Sequence, residues 1–128
     1  MAEALIGHTG FVGGNLRRQH DFDELYNSSN IDDIRGRSFD LIACAGAPAE
    51  KWKANREPDH DAATLGRLMD ALGEVRADRL LLVSTVDVYP SPIEVDEDTP
   101  IDPGACHPYG AHRRELEIFV QERFDTTT

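Results

Sequence analysis

Residues 7–13, Gly-His-Thr-Gly-Phe-Val-Gly, constrain this chain more than any other stretch. They follow a short apolar run, Ala4-Leu5-Ile6, and open a segment of helical patterning from Phe11 to about Gln19, with Val12 and Leu16 on one face. Gly7, Gly10 and Gly13 stand at the spacing a strand-to-helix phosphate turn can use. The first glycine lets the chain reverse at the strand end. The second leaves no side chain between backbone and ligand, and the third lets the helix pack closely on the strand. A helix N-terminus then offers free N–H groups and a partial positive charge to a pyrophosphate. The spacing is GxxGxxG, not the GxGxxG of the dinucleotide fingerprint. A glycine-rich turn with no ligand is therefore the competing reading.

Beyond that turn, strand-like and helical stretches alternate. Ala2 to Ile6 reads as a first strand and Asp23 to Asn27 as a weak second one, followed by a turn at Ser28-Ser29-Asn30 and a short Ile31–Ile34 segment. Phe39 to Ala45 is near-continuously apolar, as suits a strand covered on both faces. A polar loop around Trp52 precedes a helix from about Asp59 to Leu72, striped by Leu65, Leu68, Met69 and Leu72 and ended by Gly73. Arg79 to Thr85 contains the strongest strand signal, LLLVST. Pro90 to Pro108 holds five prolines and the acids Glu94, Asp96, Glu97 and Asp98, and reads as a loop. Tyr109 to about Phe124 reads as the final helix. Alternation of this kind implies right-handed βαβ units and an α/β doubly wound parallel sheet, with four strands visible in the order 3-2-1-4. The crevice of such a sheet lies over the ends of the first and fourth strands, which sets Gly7–Gly13 beside Ser84-Thr85.

Charge narrows the partners. With 24 acids against 13 bases the net charge is −11, which argues against a nucleic-acid or anionic-membrane surface. Any phosphate site must then rest on backbone N–H groups and a few local cations. No apolar run reaches the ~20 residues of a membrane helix, and nothing at the start reads as a signal peptide. Cys44 and Cys106 lack metal-ligand spacing and read as free thiols of a reducing cytoplasm. Asp96-Glu97-Asp98 lacks a spaced histidine or a calcium-loop pattern, so no metal is expected.

A second constellation lies in the C-terminal half. Ser84 and Thr85 close a buried strand with two hydroxyls, and Tyr109 and Arg113 share one helix face at i,i+4. A phenol titrates near ~10 in water, and a fixed cation beside it favours the phenolate. Such a pair, with the Thr85 hydroxyl to hold a substrate oxygen, suits proton transfer to or from an alcohol or carbonyl oxygen. Simple packing of Tyr109 on Arg113 is the alternative.

The ordered set GHTGFVGGNL, FDLIACAG, LLLVSTVDVY, EDTP and HPYGAHR resembles the extended short-chain dehydrogenase/reductase superfamily, in particular its NAD-dependent epimerase/dehydratase branch, which acts largely on nucleotide sugars. The resemblance implies a Rossmann-like fold. It assigns Gly7, Thr9, Gly10 and Gly13, with the N–H groups of Phe11 and Val12, to the cofactor pyrophosphate. The adenine contact falls on Asn30-Ile31, and the segment beside the cofactor on Cys44-Ala45-Gly46, with Ser84 also at the cofactor. The catalytic Ser/Thr falls on Thr85, four residues before Tyr89, and the catalytic tyrosine on Tyr109. The family's lysine position holds Arg113, which can supply charge and hydrogen bonds but cannot pass its proton on; water or His112 is the alternative relay. The resemblance also implies that residues 1–128 are one NAD(P)-binding domain, incomplete at its C-terminal end and lacking the substrate half. A homodimer through the helices at about Asp59–Leu72 and Tyr109–Phe124 is implied likewise, as is an unpaired edge on the fourth strand, which lacks its next neighbour.

The second strand ends in Tyr26-Asn27-Ser28-Ser29, without the carboxylate that NAD-selective sites use on the ribose 2′-OH. Asn27 and Ser28 can donate to a 2′-phosphate, with Arg17 or Arg18 leaning in, so the balance tips from NAD towards NADP. Three readings compete: an NAD(P)-dependent enzyme acting on a sugar-type small molecule, a non-catalytic NAD(P)-binding or redox-sensing module, and a fragment that binds nothing.

Overall fold

The computed structural model describes residues 2–48, 51–89, 99–100 and 107–128. The acidic cluster at 94–98, most of the proline-rich stretch and Cys106 lie outside them. In chain order the elements are β1 (Glu3–Ile6), α1 (Phe11–Gln19), β2 (Glu24–Tyr26), a 3-10 turn (Ile31–Ile34), β3 (Ser38–Cys44), α2 (Lys51–Arg56), α3 (Pro58–Leu72), β4 (Arg76–Leu82), a second 3-10 turn (Val86–Val88), α4 (Pro108–Arg123) and β5 (Thr126–Thr127). All strand pairs are parallel, in the order β2-β1-β3-β4-β5. The α/β parallel sheet is as the sequence predicts; the order 3-2-1-4 is not. That order would put FDLIACA at an edge beyond the second strand. Its apolar residues instead take the centre, with Ala4 opposite Ile42 and Ile6 opposite Cys44, because only a central strand is covered on both faces. The three-residue β2 pairs with β1 alone and serves as a short edge.

Alternation along the strands divides two layers. Ala4, Ile42 and Leu80 share one face with Ile6, Cys44 and Leu82, and pack in one cluster with Leu65, Leu68 and Leu72 of α3 and Leu116 and Val120 of α4. Leu5 and Ala43, the alternate pair, are buried outside that cluster, on the side to which the right-handed β1-α1-β2 crossover brings α1. The stripe expected on α1 is only partly covered: Val12 is 43% exposed, and the buried position is Gly13.

Two further expectations change. The stretch around Trp52 is the helix α2, held by the single buried residue Ala54. The edge of β4 is not bare: Thr126 and Thr127 pair with Leu80 and Leu81 as a fifth strand. Among the described residues no helix is long and apolar enough to cross a membrane.

Candidate functional site

The crossover from β1 runs outward to β2, and the one from β2 returns across β1 to β3. Connections therefore part at the C-terminal ends of β1 and β3, where open α/β sheets leave a ligand crevice. A cleft of about 770 Å³ lies there. Gly7 to Gly13 form one wall, Ala45 and Gly46 lie at the end of β3, and Ser84, Thr85, Tyr109 and Arg113 line the far end. The two constellations therefore share a cleft, though β3 stands between β1 and β4 and the strands expected to be adjacent are not.

Packing accounts for two of the three turn glycines. Gly7 has φ +89° and donates its N–H to Tyr26 O at 2.7 Å; a Cβ there would stand 2.2 Å from Ala45 O. A Cβ on Gly13 would stand 1.9 Å from Gly7 O, so the helix start rests directly on the turn. Gly10 is the N-cap of α1, and the first N–H groups of that helix have no intrahelical acceptor.

At the far end, the Arg113 guanidinium lies 4.1 Å from the Tyr109 ring centroid. It donates from Nη1 to Asp61 Oδ2 at 2.5 Å and from Nη2 to Pro48 O at 2.7 Å. Its Nε–H has no acceptor among the described residues. His112 Nδ1 sits 2.6 Å from the same Asp61 oxygen, so this imidazole joins the carboxylate. Burial pushes the Asp61 pKa up, but hydrogen bonds from Arg113 and His112 outweigh it and hold the carboxyl below its usual range. The Ser84 hydroxyl donates to Glu117 Oε2 at 2.5 Å. Thr85 Oγ1 donates to Asp87 Oδ2 at 3.3 Å and accepts the Asp87 N–H at 3.2 Å. Lys51, 2.8 Å from Asp87, holds that carboxyl low.

The helix carrying Tyr109 is braced from α2. Asn55 Oδ1 accepts the Tyr109 N–H at 2.9 Å and lies 3.2 Å from His107 Nδ1. His107 in turn caps α4 by accepting the Gly110 N–H at 3.3 Å.

Asn27, Ser28 and Ile31 line the end of the cleft beside β2. Asn30 and Cys44 do not. The Asn30 amide is committed to Asn27 N and Leu25 O, which shapes the turn. The Cys44 thiol is fully buried, and desolvation pushes its pKa up to about 11. Native protein should leave Cys44 unmodified by iodoacetamide while denatured protein loses it, as read by peptide mapping; rapid native labelling would contradict this packing. Arg17 and Arg18 are exposed in the last turn of α1 and do not line the cleft. Among the described residues its cations are Lys53, Arg67 and Arg113. A second, more open hollow of about 580 Å³ at the opposite ends of β3 and β4 contains none of the predicted site residues.

Sequence reasoning missed Asp61, Glu117 and Asn55. The first two carried a signal, because each is an acid on an apolar helix stripe. Asp61 precedes Leu65, Leu68 and Leu72, and Glu117 extends Tyr109 and Arg113 at the next i+4 position.

A family model described as the NAD dependent epimerase/dehydratase family matches residues 20–126, a span that begins beyond the glycine turn. No curated protein matches the sequence. Among solved structures, UDP-glucose 4-epimerase of Thermotoga maritima, with UDP-glucose, is 16% identical with TM-score 0.60, over 95% of this chain and 52% of that one. TunA, an NAD-dependent NDP-hexosamine 5,6-dehydratase of tunicamycin biosynthesis, is 18% identical with TM-score 0.65, over 95% and 50%. A short-chain dehydrogenase/reductase superfamily protein from Agrobacterium tumefaciens with bound NAD is 23% identical with TM-score 0.61, over 97% and 46%. At these identities the likeness is one of fold, and the chain spans about half the length of these structures.

Proposed function

The chain belongs to the NAD dependent epimerase/dehydratase family, and from that premise we propose that it forms the dinucleotide-binding part of an NAD(P)-dependent epimerase, dehydratase or reductase acting on a nucleotide sugar or a related alcohol or carbonyl compound. The observation that carries this reading is the shared cleft, with the glycine turn at one end and Tyr109 under Arg113 at the other. The residues present fit a dinucleotide. A Cβ on Gly10 would meet nothing closer than 3.5 Å, so packing does not demand glycine there, whereas close approach of a pyrophosphate does. The Nε–H of Arg113 lacks an acceptor among the described residues, and a ribose hydroxyl supplies one.

In this reading Gly7, Thr9, Gly10 and Gly13, with the N–H groups of Phe11 and Val12, hold the pyrophosphate. Asn27, Ser28 and Ile31 receive the adenosine end, with Asn30 and Cys44 supporting from behind, and Ala45, Gly46 and Ser84 flank the path to the nicotinamide. The bound cofactor supplies hydride acceptance and donation. Tyr109 moves the proton at the substrate oxygen, Thr85 orients that oxygen, and Arg113 holds the ribose. The same reading expects a homodimer through the outer faces of α3 and α4, in the cytoplasm.

NADH or NADPH at ten times its dissociation constant should stabilise the protein by about 1.4 kcal/mol and raise its melting temperature by roughly 5 °C. No shift with either form at millimolar concentration would sink the reading. A second reading, binding without turnover, is favoured by one observation: Arg113 is held by Asp61 and Pro48 O, and a guanidinium that stays protonated relays no proton. Reduction of bound cofactor by a nucleotide sugar such as UDP-glucose would exclude it.

A further inference from the structure

We infer that Arg67, on α3, is the cation that reads the 2′ position of the adenosine ribose, and that it selects a dinucleotide bearing a 2′-phosphate. The inference rests on the cofactor reading above. Its starting point is the end of β2, where an NAD-selective cleft presents a carboxylate to the ribose diol. Here the cleft is lined by Asn27 and Ser28. Asn27 Oδ1 accepts the Ser29 N–H at 2.9 Å, which leaves the side-chain NH2 of Asn27 for a ligand. With the Ser28 hydroxyl, this end of the cleft offers donors, which suit an anion.

Arg67 supplies the charge. It lines the cleft with Asn27, Ser28 and Ile31. Its Nη2 donates to Asp32 Oδ2 at 3.0 Å, which ties the guanidinium to the residue next to Ile31 and leaves Nε–H and the Nη1 hydrogens without an acceptor among the described residues. Asp32, the acid bonded to Arg67, would repel a phosphate. It is also held by Arg35, at 3.2 Å and 3.3 Å, and the two guanidiniums hold its carboxyl below the usual range. The carboxylate thus lies between two positive charges and anchors Arg67. In a chain of net charge −11, a phosphate needs a local cation of this kind, and a planar guanidinium can bind it with two parallel hydrogen bonds.

The test compares adenosine 2′,5′-bisphosphate with adenosine 5′-monophosphate, which differ only in the 2′-phosphate, by calorimetric titration of the full chain. The bisphosphate should bind on the order of tenfold tighter, in line with a charge-assisted hydrogen bond. Arg67→Met should erase most of that preference by weakening the bisphosphate far more than the monophosphate, and Arg67→Lys should keep part of it. Arg67 is a half-exposed surface residue, and circular dichroism of both variants checks that they fold. Equal binding of the two nucleotides by the wild type, or an unchanged preference in Arg67→Met, overturns the inference while leaving dinucleotide binding intact. If neither nucleotide binds and neither NADH nor NADPH shifts the melting temperature, the cofactor reading and this inference fail together.

Discussion

Asp61→Ala should lower the stability of this fold by about 3–5 kcal/mol, the effect of removing one partner of a buried ion pair. The carboxylate is 5% exposed and the Arg113 left behind is 2% exposed, so among the described residues the guanidinium would keep only the Pro48 carbonyl as its acceptor. Against a total of about 5–15 kcal/mol for a domain, such a loss leaves the variant marginal, and a urea titration measures it directly. A double change, Asp61→Leu with Arg113→Met, removes both charges and should recover much of the loss. A cost below about 1 kcal/mol for Asp61→Ala would mean that the pair contributes little. The pH dependence has a definite sign. Because the folded carboxyl titrates below the ordinary 3.8, its contribution is present above that value and is lost as pH falls through the lower folded value. Wild type therefore shows an acid-side fall below about pH 4 that is smaller in Asp61→Asn, where Asp32 and Asp87 still contribute.

Gly13→Ala is the second large effect. The added methyl would lie 1.9 Å from Gly7 O, 2.6 Å from Gly7 C and 3.2 Å from His8 Cα, all backbone atoms that cannot rotate aside. Relief requires α1 to lift from the turn. Destabilisation of about 3 kcal/mol is expected, at the upper end for overpacking, together with loss of cofactor binding. Gly66→Ala is the control, since its Cβ on α3 would meet nothing within 4 Å. It should stabilise by about 0.5–1 kcal/mol, from helix propensity. If the two variants melt alike and bind cofactor alike, the glycine turn is not the rigid seat described here.

The periodic signals carried most of the fold. The strand-turn-helix at Gly7, the stripe of α3 and the i,i+4 pair Tyr109–Arg113 were all legible because each depends on residues near one another in sequence. The strand order was misread as 3-2-1-4, although a run such as FDLIACA, suited to burial on both faces, argues against the edge position which that order gives it. What sequence could not give was partnership at a distance. Asn55 and Tyr109 meet across 54 residues, Asp61 and Arg113 across 52, and Ser84 and Glu117 across 33. Nor could it show α2, whose six residues bury only Ala54, or β5, where two threonines become a strand only through Leu80 and Leu81. The cleft's cations followed the same rule. Arg17 and Arg18 were near the glycine turn in sequence, whereas Arg67 reaches the cleft from a distant helix.

The two hydroxyls just beyond β4 have a chemical polarity of their own. Each has one hydrogen, and each has placed it on a carboxylate: Ser84 on Glu117 and Thr85 on Asp87. What they turn to a newcomer is lone pairs. An alcohol or an amide entering there brings the hydrogen that such a surface lacks. A ketone would bring a third set of lone pairs and would have to draw a hydroxyl away from its acid first. The resting arrangement is therefore complementary to the reduced, hydrogen-bearing member of an alcohol–carbonyl couple.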